Sequence, residues 1–319
     1  MMRNALIGGL VWIAVATAAA MRWVELEWID LLFLFAPLVI VPLGLELTRR
    51  VDGAEQVSLP LKFARVAQLP SALLVVASFW VQRGALAAGL AAGWLGFSGL
   101  LAIAGLTRLW RGGFRSLDAV FAVAAFLYLP VGGAWLVASR LGLTPMGFQE
   151  PIVLLTAVHF HYAGFAAPIL ARSTRLELGP GGPRSIGRML FNVIAAGVLV
   201  GPGLLAAGFV IGPRVKLAAA LILAASEIGL AASLFGALTR VRGLAAKSLI
   251  GVAASSVMFA MILAALWAIG EYPLQPFVHL QQMARLHGTA NAFGFTLCGL
   301  LGWTQAAGHS ERAARERRP

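Results

Sequence analysis

The chain has 319 residues, 60% of them hydrophobic and 12% charged, with a mean hydropathy of +0.84. That balance excludes a soluble globular protein and leaves a polytopic membrane protein. The formal charge of +12 is scattered among short loops, so it reads as a topology signal facing anionic lipid and not as a nucleic-acid surface.

Continuous apolar runs of about 20 residues cross hydrocarbon as helices, because a helix closes its backbone hydrogen bonds within one segment. In chain order the runs predict an all-α transmembrane bundle of ten spans, near residues 4–20, 31–48, 69–82, 84–106, 118–138, 151–172, 188–212, 217–238, 246–270 and 282–303. Residues 1–304 read as one transmembrane domain and 305–319 as a basic cytoplasmic tail. The third run is short enough to be tilted, re-entrant or displaced. Residues 1–20 have the outline of a signal peptide, with Arg3 ahead of an apolar run and Ala18-Ala19-Ala20 behind it. The charge count requires that this helix be retained.

With the N-terminus cytoplasmic, 19 Lys and Arg residues fall in inner segments and five in outer loops, namely Arg22, Arg83, Arg140, Arg214 and Lys216. Arg285 is left at the start of the last span. This asymmetry predicts an inner-membrane protein with both termini in the cytoplasm. Cys298 is the only cysteine, which excludes an internal disulfide and any multi-cysteine metal or iron–sulfur centre.

Between the spans the longest polar connections are 49–68 and 173–187, the second carrying the turn-rich Gly179-Pro180-Gly181-Gly182-Pro183. Spans two, four and eight leave the membrane through Leu47-Thr48-Arg49, Leu106-Thr107-Arg108 and Leu238-Thr239-Arg240, and span six through Thr174-Arg175. That is the trace of a repeat as found in transporters, or simply Arg at inward helix ends. Gly201-Pro202-Gly203 is the hinge candidate.

Ionisable residues inside a membrane are costly and mark functional sites by default. His159 and His161 in span six, Glu227 in span eight, and His287 and Asn291 in span ten lie between the outer third and the midplane, which predicts one polar chamber open to the outside. His287 and Asn291 share a helix face, and His279 and Met283 extend that stripe if the helix begins early enough. His159 and His161 are about 200° apart on a regular helix, so one of them, taken as His161, faces the chamber unless a bulge intervenes. Tyr162, Phe165 and Phe295 are candidates for lining a substrate. Every polar group here also has a structural use, as a hydrogen bond between helices. Glu46 and Asn192, nearer the inner face, are read as structural.

His159-Phe160-His161-Tyr162-Ala163-Gly164-Phe165 and His287-Gly288-Thr289-Ala290-Asn291-Ala292-Phe293-Gly294-Phe295 resemble the YndJ-like family of bacterial integral membrane proteins. The resemblance implies a bacterial multi-span protein and marks His159, His161, His287 and Asn291. It implies no substrate.

No Gly-rich phosphate loop, Gly-x-Ser-x-Gly elbow or His-Glu-x-x-His motif is present, and Asp30, Asp52 and Asp118 are not mid-span, against Mg²⁺–diphosphate chemistry. Three readings follow. The first is a membrane enzyme acting on a lipid-soluble substrate, such as an isoprenoid, with His159, His161, Glu227, His287 and Asn291 as acid–base groups. The second is a proton-coupled transporter using the same groups as a relay. The third is a haem or metal protein; no particular cofactor is indicated. The expected partners are membrane lipid and a small apolar ligand, with no nucleic acid.

Overall fold

A computed structural model describes residues 1–52, 58–112, 117–179, 186–273, 275 and 279–316, and these residues form helices with no strand among them. The helices are α1 (Met2–Ala20), α2 (Trp28–Asp52), α3 (Leu59–Phe79), α4 (Ala85–Gly112), α5 (Leu117–Leu141), α6 (Ile152–Leu178), α7 (Ile186–Ile211), α8 (Pro213–Ala237), α9 (Leu244–Glu271) and α10 (280–316). Among the described residues, α1 to α9 are long and apolar enough to cross a membrane. The expected tenth span, 282–303, lies within α10, whose first turns carry Gln281, Gln282, Arg285 and His287. Pro180 to Pro183 of the expected linker, Arg115 and Arg184, and residues 317–319 of the expected tail lie outside the described residues.

The third span is not short. Its helix starts at Leu59, ten residues before the apolar run, and has 21 residues. Lys62 is exposed and Arg65 partly so in its first two turns, where long aliphatic stems cover apolar surface while the charges reach the interface. The hydropathy window ended at those charges; the helix does not.

The chain divides into two compact units, Met1–Ala166 and Ala167–Pro319, with the division inside α6. In the first unit α3, α4 and α5 pack as sequential neighbours, α5 packs on the start of α6, and α1 packs on the middle of α2. A Cβ on Gly8 of α1 would lie 1.9 Å from the Leu38 carbonyl oxygen, so only glycine permits that approach. In the second unit α7, α8 and α9 are sequential neighbours, and α10 packs on α9.

Three helices change register midway. α2, α6 and α10 contain π-helical segments at Ala36–Ile40, Phe160–Ala166 and Ala290–Leu297, and such segments are rare and concentrate at functional sites. In α2 the cause is legible. Pro37 and Pro42 lack N–H groups, and in an i→i+5 ladder the Pro37 carbonyl would need the missing donor of Pro42. Gln68, fully buried on α3, supplies it with Nε2 at 2.9 Å, and its own Oε1 accepts from Asn4 Nδ2 at 2.9 Å. Trp12 Nε1 donates to the Leu31 carbonyl at 2.8 Å and the Tyr162 hydroxyl to that of Leu32 at 2.8 Å. Side chains thus replace backbone donors where lipid offers no water. Gln68→Leu removes one of them and is expected to lower stability by about 1–3 kcal/mol, read from the denaturant midpoint in bicelles; an unchanged midpoint would mean the Pro37 carbonyl has another donor.

The two units repeat one pattern at a spacing of about 130 residues. Pro70 and Pro202 lie inside α3 and α7. Gly84 and Gly212, both with left-handed φ, immediately precede α4 and α8. In the π segments of α6 and α10 the second residue is His161 or Asn291, the fifth Gly164 or Gly294, and the sixth Phe165 or Phe295. A Cβ on Gly164 would lie 2.7 Å from Tyr128 Cβ, and one on Gly294 would lie 2.4 Å from Ser256 Cβ; Tyr128 and Ser256 occupy equivalent positions of α5 and α9. Buried Thr174 and Thr304 follow nine residues after the two phenylalanines.

Candidate functional site

His161 is fully buried in the first unit. Its Nε2 accepts from Trp94 Nε1 at 2.8 Å and its Nδ1 lies 2.7 Å from the Ala157 carbonyl. An indole nitrogen only donates and a carbonyl only accepts, so the ring is the neutral Nδ1–H tautomer. The indole and imidazole rings lie nearly coplanar, with centroids 5.9 Å apart, and Phe33 meets the imidazole edge-on at 5.1 Å. Gly132 makes the space, since a Cβ there would lie 2.7 Å from His161 Nδ1. With both nitrogens engaged, His161 has no lone pair left for a substrate. His159, at the end of the α-helical turn before the π segment, is partly exposed and presents its ring edge-on to Phe160 at 5.7 Å.

In the second unit His287 repeats this bonding with different partners. Its Nδ1 lies 3.0 Å from the Ala260 carbonyl of α9, and its Nε2 lies 3.1 Å from Asn291 Nδ2. Asn291 Nδ2 also donates to the His287 carbonyl at 3.0 Å. Two acceptors fix the amide orientation, and the imidazole is again the Nδ1–H form. This pair is partly exposed, unlike His161. His279 does not extend the stripe, because it is the N-cap of α10, in a capping box with Gln282.

Glu227 differs from the histidines. It is 3% exposed in α8, and neither carboxylate oxygen has a hydrogen-bond partner among the described residues. α7 and α8 run antiparallel in tight register, with Gly197 against Ser226, Gly201 against Leu223 and Gly229 against Ile194. Glu227 therefore lies level with the turn of α7 that leads into Gly201-Pro202-Gly203. By helix rise, Glu227 is about 21 Å along α8 from Pro213, and Ala260, which holds His287, is about 16 Å along α9 from Glu271. Glu227, His287 and Asn291 thus share a depth within the second unit.

The candidate lining residues are core. Phe165 and Phe295 are 0% and 3% exposed, and the Tyr162 hydroxyl is bound to Leu32. Among the described residues no three His, Cys, Asp or Glu side chains are grouped as metal ligands. Glu46, 4% exposed, lies 2.7 Å from Arg49, 3.0 Å from Arg50 and 3.8 Å from the N-terminal ammonium.

The sequence did not point to Trp94, Gln68 or Arg140. Arg140, 6% exposed near the end of α5, donates to the Ser78 and Val81 carbonyls at 2.9 and 3.1 Å and stacks over Phe79 at 4.4 Å. It thereby caps the last turn of α3 and ties down the turn that follows it. A buried Gln in an apolar helix was a usable signal; nothing marked Trp94 among nine tryptophans.

A family model described as "YndJ-like protein" matches residues 31–295. The chain is 29% identical over 219 residues to a protein of Bacillus subtilis (strain 168) named "Uncharacterized membrane protein YndJ", across 67% of this chain and 38% of that relative. It thus spans well under half of the relative's length. No solved structure matches it.

Proposed function

Because the chain belongs to the YndJ-like family of multi-pass membrane proteins, and its second unit buries a carboxyl group that no neighbour among the described residues neutralises, we propose that it is a proton-coupled transporter with Glu227 as the proton-carrying group. The carrying observation is the contrast in bonding. His161 and His287 each have both nitrogens engaged, whereas neither oxygen of Glu227 has a partner among the described residues. A carboxylate in a low-dielectric interior needs a positive partner, and a proton that arrives and leaves is the simplest.

Two features support the reading. The hinge candidate Gly201-Pro202-Gly203 lies in the continuous helix packed against α8, and construction from repeated units is usual among secondary carriers. The count of 19 inner against five outer cations supports an inner-membrane location with cytoplasmic termini. A second reading, an enzyme acting on a lipid-soluble substrate, draws on one observation: His287 and Asn291 are partly exposed, where an apolar ligand reaches them.

The test is proton movement in proteoliposomes that trap pyranine, challenged with a panel of amino acids, sugars and lipophilic amines. At least one solute is expected to drive proton flux in the wild type that falls at least tenfold in Glu227→Gln. Equal flux in the variant would overturn the reading. A lipid-extract profile altered by His287→Ala, with no solute moving protons, would establish the enzyme instead.

A further inference from the structure

The surroundings of Glu227 hold more than a proton site. Pro202 lies inside α7 and has no N–H, so the carbonyl of Val198, four residues earlier, lacks its α-helical donor. Val198 is fully buried, between Gly197 and Gly201. Those glycines press against α8: a Cβ on Gly197 would lie 1.8 Å from Ser226 Oγ, and one on Gly201 would lie 2.7 Å from Leu223 Cδ1. Residues 197–201 therefore lie against 223–226, the turn that ends at Glu227. Side chains of a helix lean toward its N-terminus, so the Glu227 carboxylate leans back along that turn, toward the depth of the Val198 carbonyl. The Ser226 hydroxyl donates to Ile222 at 2.8 Å and is not a donor to Glu227.

The helices packed against α8 bring oxygen acceptors to this depth and no cationic side chain. Glu227 is the one charged residue of α8 between Lys216 and Arg240. α7 has none between Arg188 and Arg214, and α9 none between Lys247 and Glu271. The second-unit part of α6 carries Arg172, Arg175 and Glu177 in its last turns, toward the inner end. A proton bonds one carboxylate oxygen and leaves the other acceptors unfilled. A hard cation with an all-oxygen shell fills several, and carbonyls freed at a helix break serve as Na⁺ ligands in carriers.

We infer that Glu227 binds Na⁺ as well as a proton, with the Val198 carbonyl as a second ligand, so that the two cations compete for one carboxylate. The inference rests on the reading of Glu227 as the coupling group.

The experiment is thermal unfolding of the full chain in nanodiscs, in NaCl against KCl and choline chloride at equal ionic strength. Na⁺ at 100 times its Kd is expected to raise the midpoint by about 5 °C over choline. The shift disappears in Glu227→Gln. Pro202→Ala returns an N–H to the Val198 carbonyl and weakens Na⁺ binding at least tenfold without touching the carboxylate. Below the pH at which the carboxylate takes up its proton, Kd for Na⁺ rises tenfold per pH unit. Equal midpoints in all three salts, or a full Na⁺ response in Glu227→Gln, would overturn the inference. Glu227-dependent proton flux with no Na⁺ response would overturn it and leave the carrier reading standing, and Na⁺ binding with no Glu227-dependent flux would do the reverse.

Discussion

His161→Ala is expected to destabilise the protein by about 3–5 kcal/mol, measured by denaturant unfolding in bicelles. The imidazole is fully buried, so its removal opens a cavity between Trp94 and Phe33. It also strands the Trp94 N–H, whereas the Ala157 carbonyl keeps the Phe160 N–H. Stranding a buried donor costs more than removing a matched pair. The double variant Trp94→Phe with His161→Ala should therefore recover about 1–2 kcal/mol relative to the sum of the two single changes. Gly132→Ala should imitate part of the loss, since its new Cβ would fall 2.7 Å from His161 Nδ1. If His161→Ala instead left stability unchanged and removed transport or enzyme activity, the imidazole would be a working group and its bonding to Trp94 incidental.

Nine spans were legible because hydropathy reports directly on what lipid tolerates. The third was truncated because Lys62 and Arg65 closed the apolar window while their stems continued the helix. A regular helix separates His159 and His161, and the structure changes register between them, with His159 ending the α-helical turn and His161 second in the π segment. Partners across 67 residues, as between Trp94 and His161, have no local signature. Glu227 stood out in the sequence as a lone charge in an apolar run. In the sequence the hint of repetition was the set of Leu-Thr-Arg helix ends, read equally as Arg at inward helix ends. Its stronger marks are conformational: paired helix-interior prolines, paired left-handed glycines and paired π segments. Side chains diverge around such features while the backbone keeps them.

Glu227→Met should do the opposite of His161→Ala, raising stability by about 1–3 kcal/mol while removing proton-coupled flux. The wild-type carboxyl is 3% exposed with no partner for either oxygen among the described residues, so folding strips it of water without a compensating hydrogen bond. Methionine has nearly the same length, needs no hydrogen bond and adapts to the space beside Leu223 and Leu230. Both neighbours are buried in the same stripe of α8. A stabilising loss of function is the signature of a group kept for its chemistry against the interest of the fold. Glu227→Gln separates the two parts: it keeps the polar burial and removes the charge, so it should abolish flux with a much smaller gain in stability. A Glu227→Met protein that unfolds more readily than the wild type would show that the carboxyl is held by a partner in the membrane, and the coupling role would then fall to the His287–Asn291 pair.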